Sequence, residues 1–170
     1  MTSLLRSLPL LILVLAAASC GTETTTKPSF YNNLASPDAK VDAAAAASMI
    51  SDYRRGNGLA AVEVDPTLTR MAEDHARAMA KIDKVTHDPG GRGLKQRLQA
   101  VSFNAKVAAE NVGAAYQTLA EAFSGWRDSP SHNKNMLMPT VTKIGIATAY
   151  APKSKYQVYW ALVLAEPDER

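Results

Sequence analysis

The sequence predicts an α+β fold: a three-layer α/β/α sandwich around a small antiparallel sheet. Two observations near the C terminus carry this. Residues 143–150 alternate Ile144, Ile146, Thr148 and Tyr150 with Gly145, Ala147 and Ala149, and residues 156–165 set Tyr, Val, Trp and Leu on one side against Tyr159, Ala161 and Val163 on the other. Both stretches read as strands, with residues 151–155 as a hairpin loop between them. A strand that is apolar on both faces needs helices above and below it. The third observation is that the preceding chain supplies such helices, with apolar residues recurring every three or four positions.

The first nineteen residues read as a leader and not as fold. Arg6 provides a positive start, residues 8–16 an apolar run too short to span a bilayer, and Ala16, Ala17, Ala18 and Ser19 a small-residue stretch ending at Cys20. With its single cysteine directly after the small residues, this segment resembles a bacterial lipoprotein signal, which implies lipidation of Cys20. The competing reading is a secretory signal without lipid. Gly21 after the cysteine implies, by the same resemblance, the periplasmic face of the outer membrane. The organisation expected is therefore a leader at 1–19, a lipidated cysteine and flexible tether at 20–35, and one domain at 36–170.

The whole chain has 19 basic and 16 acidic residues, a net charge of +3. That balance, without a clustered basic face, argues against nucleic acid as a partner. With one cysteine no disulfide forms within the chain, so the apolar core holds the fold unaided.

Ser36-Pro37 has the form of an N-cap followed by Pro at the first helical position, and the Ala-rich run to Met49, Ile50 and Tyr53 continues to the stop at Gly56-Asn57-Gly58. Asp65-Pro66 repeats the start signal. Behind it Leu68, Met71, Ala72, His75, Met79 and Ile82 share one helical face, where His75 reads as a packed core histidine with one nitrogen satisfied. His87 differs: Thr86-His87-Asp88-Pro89-Gly90-Gly91 is turn chemistry, so this imidazole sits at a helix-to-loop junction, where functional groups concentrate. Residues 94–101 form a short helix containing Arg97, and residues 106–116 a strand containing Glu110-Asn111. Leu119, Phe123 and Trp126 mark another helix face, which Pro130 ends at about Ser129. Ser131 is then expected to cap a new short helix with His132 in its first turn.

These pieces together resemble the CAP superfamily (cysteine-rich secretory proteins, antigen five and pathogenesis-related proteins; also called SCP-like) in its short bacterial form. The resemblance covers about residues 50–167. It rests on Tyr53-Arg54, Gly58-Leu59, Leu68, Ala72-Glu73-Asp74-His75-Ala76, Met79-Ala80, Thr86-His87, Ala109-Glu110-Asn111, Gly125-Trp126, Ser129-Pro130-Ser131-His132, Asn135-Met136-Leu137 and Ile144-Gly145. It implies an α/β/α sandwich whose cleft holds two histidines, matched by His87 and His132, and a glutamate, matched by Glu110. A second glutamate expected just after the tryptophan has no match; Asp128 lies nearby, one place out of register. Asn111 and Asp128 are secondary candidates for binding.

Two imidazoles and a carboxylate suit zinc or another divalent cation, with Glu110 as ligand or as general base. Ser129 and Ser131 flank His132, but no acid is placed to orient the ring, so a serine hydrolase is not expected. Two functions remain open. One is a binding module whose cleft takes a lipid, glycan or peptide; the other is a metal-dependent hydrolase acting on an envelope component, with catalysis by Glu110, His87 and His132.

Overall fold

The structure is a computed structural model that describes residues 26–169. The leader, Cys20 and the first part of the expected tether lie outside the described residues.

The expected tether and first helix both shift. Helix α1 (Ala43–Gly56) begins seven residues beyond Ser36, because Asp42 supplies the cap: its Oδ1 accepts from the Ala45 N–H at 3.0 Å, and its Oδ2 accepts from Ser29 Oγ at 2.7 Å. Ser36-Pro37 forms only a turn. Ahead of it, residues Ser29–Tyr31 make a 3-10 turn, and Leu34, 3% exposed, is part of the core and donates its N–H to Gln117 O at 2.8 Å. The packed body therefore starts before residue 36, since Phe30 and Leu34 find apolar partners that a Thr- and Asn-rich composition conceals.

Strand β1 (Glu63–Val64) is followed by α2 (Pro66–Lys81), capped as expected by Asp65, whose Oδ1 accepts from the Thr67 and Leu68 N–H groups. Then come α3 (Leu94–Ala100), β2 (Ala105–Ala114), α4 (Leu119–Asp128), α5 (Pro130–Met136), β3 (Lys143–Ala151) and β4 (Gln157–Pro167). The sheet order is β1-β3-β4-β2, with the three long strands antiparallel and β1 parallel to β3. That parallel edge makes the sheet mixed; two residues are too few to show alternation in the sequence.

The two apolar faces of β4 are both covered. Val158, Trp160, Leu162 and Leu164 join the core beneath α1, α4 and α5, while Tyr159, Ala161, Val163 and Ala165 join the one beneath α2 and α3. Trp126 of α4 meets Trp160 edge to face at 6.1 Å between ring centres. On the other face α2 lies directly on β3, so closely that a Cβ on Gly145 would overlap the Leu68 backbone. Fully buried Arg54 of α1 reaches under α5: its Nη1 donates to Met136 O and Met138 O, both at 2.8 Å, and its Nη2 to Val141 O at 3.0 Å.

Register then places the functional residues. Glu110 pairs with Val163 and Asn111 with Leu162. Directly paired residues share a face, so Glu110 belongs to the α2–α3 side and Asn111 to the α4–α5 side.

Candidate functional site

Glu110 is the centre of a buried polar network. Its side chain is 2% exposed, and a carboxylate in that setting needs donors to offset lost hydration. Three arrive. His75 Nδ1 and Arg97 Nη2 each donate to Oε1 at 2.8 Å, and His87 Nδ1 donates to Oε2 at 2.9 Å. Burial alone pushes the carboxyl up, but the His75 hydrogen bond and charge, with Arg97 and His87, outweigh it and hold Glu110 below its ordinary value.

The donors come from separate elements. His75 is buried on α2, as its apolar face predicts, but both of its nitrogens are engaged: Nε2 donates to Thr86 O at 2.8 Å. The ring is thus held between a carboxylate and a backbone carbonyl. Arg97 of α3 also donates through Nη2 to His87 O at 3.1 Å and through Nε to Arg92 O at 3.3 Å, which ties down the loop that carries His87. His87 itself is 62% exposed. With Nδ1 engaged by Glu110, Nε2 is the ring nitrogen left without a protein partner among the described residues.

His132 reaches the same region from α5. Here the expected cap is corrected: Ser129, not Ser131, is the N-cap residue, because Pro130 fits the first helical position, where its missing donor costs nothing. Ser129 Oγ lies 3.0 Å from His132 Nδ1. Burial, followed by the charge of His87, holds His132 below the ordinary imidazole value, so it is neutral at pH 7. Its Nε2, like that of His87, has no hydrogen-bond partner among the described residues. Asn111 positions this helix: its Nδ2 donates to His132 O at 3.0 Å, and Asn135 Nδ2 donates to Asn111 Oδ1 at 2.9 Å and to Glu110 O at 3.1 Å.

The structure thus links His87 directly to Glu110 and brings His132 close enough to feel the charge of His87. Asn111 is a buried clamp and does not face a ligand. Asp128 stays apart, exposed and paired with Arg127 at 2.9 Å. Sequence reasoning passed over His75 and Arg97 as partners of Glu110, and Asn135 and Ser129 as supports of α5. The one signal for His75 was a histidine on an otherwise apolar helix face.

A resident metal with three protein ligands does not fit this arrangement. Oε1 of Glu110 accepts two hydrogen bonds and Oε2 one, and the side chain is almost fully shielded. The carboxylate orients a ring instead of offering a free oxygen, and two imidazoles fall short of the three protein ligands of a catalytic zinc. Among the described residues no group of three or more His, Cys, Asp or Glu side chains is arranged to hold a metal ion. The same shielding leaves Glu110 poorly placed as a general base for water.

Comparison with known proteins finds relatives that share the fold. The model of the cysteine-rich secretory protein family, CAP, matches residues 47–164. The protein YkwD of Bacillus subtilis is 28% identical over 94 residues, which are 55% of this chain and 37% of YkwD, so the chain spans well under half of that relative's length. An extracellular protein containing a SCP domain from Bacillus anthracis superposes with a TM-score of 0.64 at 22% identity, over 72% of this chain and 39% of the other. An outer surface protein from Borrelia burgdorferi gives 0.64 at 23% identity, over 76% of this chain and 98% of its own.

Proposed function

The chain belongs to the cysteine-rich secretory protein family, CAP, and from that premise we propose that it is an exported binding module, anchored by a lipid on Cys20 to the periplasmic face of the outer membrane. Its His87–His132 face captures an envelope ligand: a lipid, a glycan or a peptide. The leader-like first nineteen residues and the character of two relatives, one extracellular and one an outer surface protein, support export.

One observation carries the binding reading. Glu110, itself held by His75 and Arg97, accepts from His87 Nδ1, and the outcome is an oriented, exposed ring whose Nε2 is free among the described residues. Such an arrangement presents a hydrogen-bonding group to a ligand at little entropic cost. A hydrolase would instead need a solvent-reaching base or a third metal ligand, and Glu110 supplies neither.

The test is a binding screen of the purified protein against phospholipid vesicles, soluble glycans and extended peptides, repeated with His87→Ala and His132→Ala. Loss of one ring contact weakens capture roughly tenfold. Undiminished binding in both variants rejects the reading. Element analysis of the same sample is expected to find no stoichiometric divalent metal. A full equivalent of zinc, lost in His87→Ala together with hydrolytic turnover, would favour the metal-dependent hydrolase.

A further inference from the structure

Strand β1 covers only the start of β3. It pairs Glu63 with Lys143 and Val64 with Ile144, and the Asp65 N–H donates to Ile144 O at 2.7 Å, before Asp65 and Pro66 turn the chain into α2. Backbone groups along a strand point alternately to its two neighbours. Those of Ile144 point to β1, so those of Ile146, Thr148 and Tyr150 point to the same side, and the odd-numbered residues face β4. Past Ile144 that side is unpaired: the N–H and C=O groups of Ile146, Thr148 and Tyr150 have no hydrogen bond there among the described residues. The strand position beside β3 is thus begun by β1 and then left vacant.

The vacant position is a groove. A cavity of about 320 Å³ runs along residues 146–150 of β3, which make up about 17 Å of strand edge. Thr148 and Tyr150 on its floor are half-buried, so the edge opens into the groove. One face of α2, with Thr69, Glu73 and Arg77, forms one wall, and Ala39, Val41 and Ala43, where the chain leads into α1, form the other. The walls differ in character. Glu73 and Arg77 are ion-paired at 3.7 Å, whereas Ala39, Val41 and Ala43 pack on the apolar core.

We propose that this groove binds an extended peptide, which adds a strand to the open edge of β3. Its apolar side chains lie towards Ala39 and Val41 and alternate with polar ones towards Thr69 and Glu73. A row of unpaired donors and acceptors is matched by another extended backbone and not by a lipid chain. A second copy of this chain does not fit, because its own β3 edge lies at the bottom of the same groove and two recessed edges cannot meet. The site does not rest on the reading of the His87–His132 face, since β4 separates β3 from β2, the strand that carries Glu110.

The experiment is amide NMR of the protein with the peptide acetyl-Ser-Val-Thr-Val-Thr-Val-Ser-amide. In the free protein the Thr148 and Tyr150 amides should exchange rapidly with solvent; with peptide they should become protected, in a saturable titration at about 1 mM or tighter. Two further peptides are N-methylated, one at its valines and the other at its threonines. Only one of these sets of N–H groups can face β3, so one peptide should lose binding about tenfold or more and the other keep it. Thr148→Pro removes an outward donor while leaving the β4 side of the ladder intact, and should weaken binding about fivefold or more; if that variant is unfolded, the methylated pair decides. The proposal is overturned by Thr148 and Tyr150 amides already protected in the free protein, by no saturable shift, by shifts centred on α5, by no difference between the methylated peptides, or by undiminished binding in Thr148→Pro.

Discussion

Glu110 shows how one buried charge can organise a site without facing solvent. Removing one partner of a buried ion pair leaves the others uncompensated, so Glu110→Gln should cost about 3 kcal/mol or more in urea unfolding. The same carboxylate makes stability pH-dependent. Its folded-state value is depressed below 4.5, so the unfolded chain binds the proton more readily. Its contribution is therefore complete above 4.5 and is lost as pH falls through the lower folded value. His132 adds in the same sense at higher pH: depressed below 6.5, it begins to favour the unfolded chain as pH falls past 6.5. Urea midpoints measured from pH 8 to pH 3 should decline in two stages, and Glu110→Gln should make the lower one shallower without removing it, since Asp42 and Asp83 are depressed as well. A midpoint that rises on acidification contradicts the assignment.

At the scale of elements, the cap of α1 separates sequence signal from structural outcome. Asp42→Ala should destabilise the protein by about 1 kcal/mol, the usual worth of an N-cap, while Ser36→Ala should change urea stability little; the reverse ranking would return the helix start to Ser36. Ser36-Pro37 has the right residues, but the cap that wins is the one whose carboxylate meets Ala45 N–H and is itself held by Ser29. Asp42 ahead of the Ala run is a cap signal of its own, but the Ser29 contact that holds it comes from thirteen residues away and leaves no local trace. The elements that were legible are those whose periodicity is their burial: α2 with Leu68, Met71, Ala72 and Met79 inward, and β4 with both faces covered. In the site, His87, Glu110 and His132 were named from motifs, yet the partners that fix them were not. His75 lies 35 residues from Glu110 and Arg97 lies 13 away, and helix periodicity alone cannot aim either side chain at a strand.

For the whole molecule, the question is where the body ends and the leash begins. Leu34 is buried against the same core as Trp126 and Leu164, so deletion of its side chain leaves a cavity, and Leu34→Ala should cost about 2–3 kcal/mol in urea unfolding. A residue of a free tether would give no measurable change. Packing from Ser29 onward also shortens the proposed leash: the eight residues after Cys20, to Pro28, can span no more than about 30 Å even fully extended. A lipid on Cys20 would then keep the body close to the membrane surface instead of letting it range freely. Cys20→Ala should shift the protein from the membrane fraction to the soluble one with its unfolding curve unchanged, whereas Leu34→Ala should lower stability and stay with the membrane. If Cys20→Ala remains membrane-bound, the lipid anchor is wrong; if Leu34→Ala is neutral, the body begins later than its packing implies.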